Sequence, residues 1–172
     1  AATGLILRKP ITVLGDPSKE TISSQLGEAH KIRNFYNNIL LPKSAKEDVT
    51  IDTHAVAAAL LRPFAQKSTE VTHNFGAGMP SSSLTGAQGN YGIYADAYRE
   101  AAKKRGVLPR EMQSITWEAV RGLFPQAMKT EKNKKLADAI WTDYKRGKKS
   151  IGETRKQIEK LFGGIDEPDW YR

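Results

Sequence analysis

Two side chains in the stretch KIRNFYNNILLPKSAKEDVTIDTHAVAAALL could act on one bond: Lys31, which opens it, and Asp52, inside Thr-Ile-Asp-Thr-His. A primary amine can add to an electrophilic carbon, and a carboxylate can stabilise a cation or steer a water towards it. An ordinary lysine amine titrates near about 10.4, so it is a poor nucleophile until burial or a nearby cation lowers that value. A plain structural reading is open as well: Asp52 caps a helix and Lys31 sits exposed on another. What separates the readings is whether the elements carrying the two groups bring them to one place.

Lys31 belongs to a run in which Ile32, Phe35, Tyr36, Ile39 and Leu40 recur at helical spacing, closed by Leu41-Pro42. Phe35 and Tyr36 read as core. Ahead of it, GDPSKETISSQLG offers Asp16 as N-cap, Pro17 at the first helical position and Gly27 at the far end. Two helices joined across one glycine make a tight hairpin, and the first N–H groups of the second helix are left pointing outward. With the positive end of the helix dipole they make a phosphate seat around Gly27, Glu28 and Ala29. Arg33 and Asn34 could also touch phosphates, and plain surface exposure explains them equally well. Asp52 is expected at the N-cap of a second helix, Thr53 to Leu61, stopped by Arg62-Pro63. His54 reads as a capping or core residue rather than a catalytic one.

Elsewhere the first ten residues read as extended. The stretch over 72–90 is rich in Gly and Ser and reads as a loop, lid or linker; it matches neither G-x-x-x-x-G-K-[ST] nor a clean G-x-G-x-x-G. Four helices fill the second half. The first ends at Gly106 and carries Ile93, Ala97, Ala101 and Tyr94, Tyr98 stripes; the next starts at Pro109 and buries Met112, Ile115, Val120 and Leu123. The third buries Leu136, Ile140, Trp141 and Tyr144, and the last is capped by Ser150 and turns Ile151, Ile158, Leu161 and Phe162 inward. The expected class is all-α, with a core over 1–126 and a basic helical extension over 127–172.

The chain has 172 residues and no cysteine, which excludes disulfides, thiol nucleophiles, Fe–S clusters and cysteine-type zinc sites. Its three histidines, His30, His54 and His73, fall in no H-E-x-x-H pattern, so no metal and no cofactor is expected. No apolar run approaches the roughly 18–20 residues of a membrane helix. The first residues have no signal-peptide pattern and no initiator Met, so residue 1 is expected to be a processed end or the start of a fragment. A net charge of +8 points to a polyanionic partner, above all nucleic acid. Between 129 and 160 stand eleven basic and five acidic residues, a local excess of +6. Lys134, Lys135, Lys148 and Lys149 in this segment are candidate phosphate contacts, which give affinity without reading sequence. A solvated helix face would carry the same charge.

LGEAHKIRNFYNNI followed by VTIDTHAVAAAL resembles the helix–hairpin–helix DNA glycosylases, whose pattern runs L-P-G-V-G-x-K-T-A and, further on, V-D-T-H at the start of a helix. Gly27 falls on the first hairpin glycine, Lys31 on the Schiff-base lysine of the bifunctional members, and Asp52 on the catalytic aspartate. MQSITWEAVRG is similar to the last core helix of that superfamily, and residues 91–124 further resemble uncharacterised phage proteins related to it. The likeness covers residues 22–62 and, less closely, 91–124. It implies a glycosylase-like helical domain acting on DNA, double-stranded or locally opened, at the N-glycosidic bond of a flipped, modified base. Asp52 would then support the cationic sugar, and Lys31 would attack C1′, expel the base and permit strand cleavage by β-elimination. The resemblance implies no cofactor, no metal and no membrane, and a place in the cytoplasm (the host's, if phage-encoded) or the virion.

The chain departs from that pattern in three ways. Ala29 stands where the second hairpin glycine would be, the spacing from Lys31 to Asp52 is longer by a polar loop, and the hairpin glycine is already residue 27. Either the chain is thus expected to be a fragment or processed product, or the missing half of the usual fold is expected from the C-terminal helices or from a partner chain. A non-catalytic DNA-binding or phage virion protein on the same scaffold is the alternative. A helical partner-binding domain with incidental charge is a third.

Overall fold

The computed structural model of the chain describes residues 2–27, 30–43, 47–74 and 90–165. Among the described residues all regular structure is helical: α1 (Ala2–Gly15), α2 (Lys19–Leu26), α3 (His30–Leu40), α4 (Thr53–Leu60), α5 (Thr69–Asn74), α6 (Tyr91–Arg105), α7 (Pro109–Leu123), α8 (Glu131–Lys145) and α9 (Ile151–Leu161). A 3-10 turn over Gln126–Met128 joins α7 to α8. The all-α class is as expected. Of the loop expected over 72–90, the start belongs to α5 and residues 75–89 lie outside the described residues.

The sequence THAVAAAL makes α4 the centre of the core, because its small side chains let α6 and α7 approach closely. Ala55, Val56 and Ala57 are buried, and α4, α6 and α7 pack against one another. The same apolar cluster runs from Val49 through Phe64, Leu123 and Phe124 to Ile158 and Phe162. Phe124 and Phe162 meet edge to face at 5.0 Å. Two ion pairs add to this seam, Arg62–Asp138 at 2.8 Å and Lys134–Glu70 at 2.9 Å. The basic segment after residue 127 therefore shares the core of what precedes it.

Local signals explain the helix ends. Gly106, at φ 67, stops α6 in a left-handed conformation that a β-carbon disfavours. Ser150 and Glu153 form a reciprocal capping box at the start of α9, with contacts of 3.2 and 2.8 Å. Thr130 caps α8 through the Asn133 N–H.

Several expectations are corrected. The first ten residues are helical, not extended: Leu7, Ile11 and Leu14 recur at helical spacing, and Pro10 sits inside α1 at the cost of one backbone hydrogen bond. The cap of α2 is Ser18, which accepts from the Thr21 N–H, not Asp16. Asp16 instead accepts from the Ser18 N–H and from the Thr21 hydroxyl, which holds its carboxyl below the usual range. On α6 the buried stripe is Tyr91, Ala95, Tyr98 and Ala102, while Ile93 is 69% exposed. Ile115, Leu136, Tyr144, Ile151 and Leu161, expected inward, are exposed, while Ile158 and Phe162 are buried. No residue of α3 is buried, and Phe35 is 58% exposed, because α3 borders a groove instead of the core.

Candidate active site

The site is built around the extended segment that leads into α4. Val49 and Ile51 are fully buried, so their backbone polar groups need partners inside the protein. Tyr91 of α6 supplies them: its hydroxyl donates to the Val49 carbonyl at 2.8 Å and accepts from the Ile51 N–H at 3.0 Å. From α3, the Asn34 amide donates to the same carbonyl and to the Tyr91 oxygen, each at 3.0 Å. One turn on, the Asn38 amide donates to Thr50 Oγ1 at 3.3 Å. Burial raises the Tyr91 phenol, so it stays a neutral donor.

Lys31, Asn34 and Asn38 are spaced i, i+3, i+7 and share one face of α3. Because the two asparagines fasten that face to residues 49–50, Lys31 is turned towards the chain that carries Asp52. Both residues line one cavity of about 580 Å³. Ile32 and Phe35 continue its α3 wall, Thr50 lies beside Asp52, and α7 supplies Gln113, Ser114, Trp117 and Glu118. That volume lies within the roughly 300–1,000 Å³ usual for small-ligand sites, with mostly apolar walls and a few polar groups. A second cavity of about 480 Å³ shares Phe35, Thr50, Gln113 and Ser114 and continues along Asn38, Ile39 and Ile115.

Asp52 is the N-cap of α4, its Oδ1 accepting the Ala55 N–H at 2.8 Å. Its Oδ2 lies 3.5 Å from His54 Nδ1. The other imidazole nitrogen, Nε2, is 3.4 Å from the Lys129 amine, and the ring meets the Trp117 edge at 5.5 Å. Below them the Tyr98 hydroxyl donates to the Ala55 carbonyl at 3.2 Å and shares a hydrogen bond with Thr116 at 3.0 Å. Burial pushes the Tyr98 phenol up to about 12, and the Asp52 charge acts in the same direction.

His54 and Lys129 were not legible as site residues. His54 is two positions from Asp52, but the partner that defines its orientation lies 75 residues away. Asn34 and Arg33, for which the sequence leaves phosphate contact and plain surface exposure equally open, both make hydrogen bonds within the fold. Arg33 donates to the Gly27 carbonyl at 2.9 and 2.7 Å and to the Ser23 carbonyl at 3.0 Å, stapling the end of α2.

Of the expected phosphate seat, Gly27 holds φ 60, and its own N–H is bonded to the Ser23 carbonyl at 3.2 Å. Glu28 and Ala29 lie outside the described residues. Among the C-terminal lysines, Lys134 is bound to Glu70 and only 19% exposed. Burial alone would raise the Glu70 carboxyl, but its own N–H and Lys134 outweigh that and hold it low. Lys149 is held by Asp143 at 3.0 Å and Gln157 at 2.6 Å. Lys148 and Lys135 are exposed, Lys148 with Asp143 at 4.0 Å. Among the described residues no cluster of His, Asp and Glu could hold a metal ion, and no helix is long and apolar enough to cross a membrane.

The model of a family of unknown function, DUF7178, matches residues 4–124. The chain belongs to that family. No curated protein and no solved structure matches it. The DUF7178 match takes in Lys31, Asp52, His54 and the α7 wall of the cavity; Lys129 and the exposed Lys135 and Lys148 follow it.

Proposed function

We propose that the chain is a DNA-binding, glycosylase-like enzyme that cleaves the N-glycosidic bond of a flipped base, with Lys31 as nucleophile and Asp52 as stabiliser of the cationic sugar. The observation that carries this reading is the single cavity lined by both residues. An extruded base would pack against Phe35 and Trp117, with Gln113 and Ser114 offering hydrogen bonds to its edge. Asp52 Oδ1 is tied to the Ala55 N–H, which fixes the carboxylate with Oδ2 still able to face developing positive charge.

In the reaction the Lys31 amine, after giving a proton to solvent, adds to C1′ and the C1′–N bond breaks, its electron pair leaving with the base, which takes up a proton. Loss of a proton from the new amine and opening of the sugar ring give a Schiff base. Removal of a C2′ proton then expels the 3′ phosphate, and water releases the lysine.

The test is a duplex carrying one abasic site, which bypasses the unknown base. Wild-type protein should nick it, and Lys31→Ala should not. Equal nicking by both overturns the assignment of Lys31. An intact strand with both, at unchanged binding, supports the second reading: a DNA-binding or virion component without turnover. The exposed Lys135 and Lys148 favour that alternative, since they can meet phosphates without any chemistry.

A further inference from the structure

We infer that Lys129 and His54 form a positioning relay for Asp52, so that a residue beyond the DUF7178 match orients the carboxylate of the cavity. Its value for catalysis rests on the role proposed above for Asp52, but the relay itself follows from atoms. A lysine ammonium has three donors and no acceptor, so its approach to His54 Nε2 at 3.4 Å requires a lone pair on that nitrogen. The neutral ring must then carry its proton on Nδ1, which lies 3.5 Å from Asp52 Oδ2. At that distance the contact is an oriented dipole on the carboxylate rather than a short hydrogen bond.

The other groups around the ring agree with this assignment. Trp117 of α7 confines the imidazole from the side with its ring and offers no charge. The charged groups near the relay are Asp52 and Lys129 at its two ends, Lys31 and Glu118 in the lining of the same cavity, and Arg121, which lies 4.9 Å over the Trp117 ring and pairs with Glu118 at 3.3 Å. With Oδ1 bound to the Ala55 N–H, both carboxylate oxygens are oriented, one by the helix and one by the imidazole. This is the pattern in which a third group sets the tautomer of a histidine that in turn orients the reacting residue. Lys129 stands just after the 3-10 turn, so the α7–α8 junction delivers it to the mouth of α4.

The relay is tested without DNA, by two-bond ¹H–¹⁵N correlation on the full chain at about pH 8.5, some two units above the ordinary imidazole value. The His54 signals are assigned by their loss in His54→Gln. The wild type should show the Nδ1–H form, and Lys129→Arg should keep it. Lys129→Met should move both nitrogen shifts towards the averaged pattern of a free imidazole and shift the Asp52 carboxyl ¹³C resonance. An Nε2–H form in the wild type, or an unchanged pattern in Lys129→Met, overturns the inference. Either outcome leaves the glycosylase reading to its own test.

Discussion

Lys31, in the first turn of α3, and Asp52, the N-cap of α4, line one cavity, although α3 ends at Leu40 and α4 begins only at Thr53. The relationship is enforced by Asn34 and Asn38, which fasten the Lys31 face of α3 to the backbone and side chain just before Asp52. Helix capping and a place in the cavity wall are therefore not competing roles for Asp52. It holds both.

The two roles separate by substitution. Asparagine caps a helix about as well as aspartate, so Asp52→Asn should change stability by only a few tenths of a kcal/mol. Asp52→Ala should cost about 1 kcal/mol, read from urea denaturation midpoints. Both should lose base release or strand nicking alike, because both remove the charge.

Tyr91→Phe keeps the ring but removes the hydroxyl that receives the Ile51 N–H and donates to the Val49 carbonyl. Ile51 is fully buried, so its N–H would be left without a partner. The expected loss is about 1–3 kcal/mol in urea denaturation. A loss below the error of the measurement would mean that water replaces the hydroxyl.

Alkaline stability should depend on Tyr98. Its phenol is raised to about 12 in the fold, against an ordinary value near 10 in the unfolded chain. The unfolded state releases the proton first, so the contribution is present below about pH 10 and is lost as pH rises towards 12. At most it amounts to about 2–3 kcal/mol. Tyr98→Phe should flatten the fall in melting temperature over that window without abolishing it, since burial also raises Tyr91 and Tyr94.

The C-terminal lysines should divide into two groups when DNA affinity is measured across a salt series. Lys135→Ala and Lys148→Ala should each lower the slope of log K against log salt by about one unit. Lys134→Met should leave the slope unchanged and instead cost on the order of 1 kcal/mol of stability, because it strands the half-buried Glu70. Fluorescence anisotropy and thermal unfolding on the same preparations read both quantities.

Features set by neighbours in sequence were legible. The Asp52 cap, the Ser150 cap and the Gly106 stop each depend on contacts within a few residues, and each stands where the residue types place it. What the periodicity could not decide was which apolar face meets the core. In α6 the burial of Tyr91 and Tyr98 is decided by polar partners on distant backbone, the Val49 and Ala55 carbonyls, and Ile93 is left outside. Phe35 has the pattern of a core residue but forms the wall of a cavity. Pro10 hid α1, since a proline inside a helix reads locally as a break. The Lys129–His54 contact joins residues far apart in the chain, and no local pattern encodes it.

The most direct test of the Lys31–Asp52 site is borohydride reduction in the presence of abasic-site duplex, followed by peptide mass mapping. A covalent adduct on the peptide containing Lys31, absent in Lys31→Ala, is the expected result. No adduct with wild-type protein that still binds the duplex, or an adduct carried by another lysine, contradicts it.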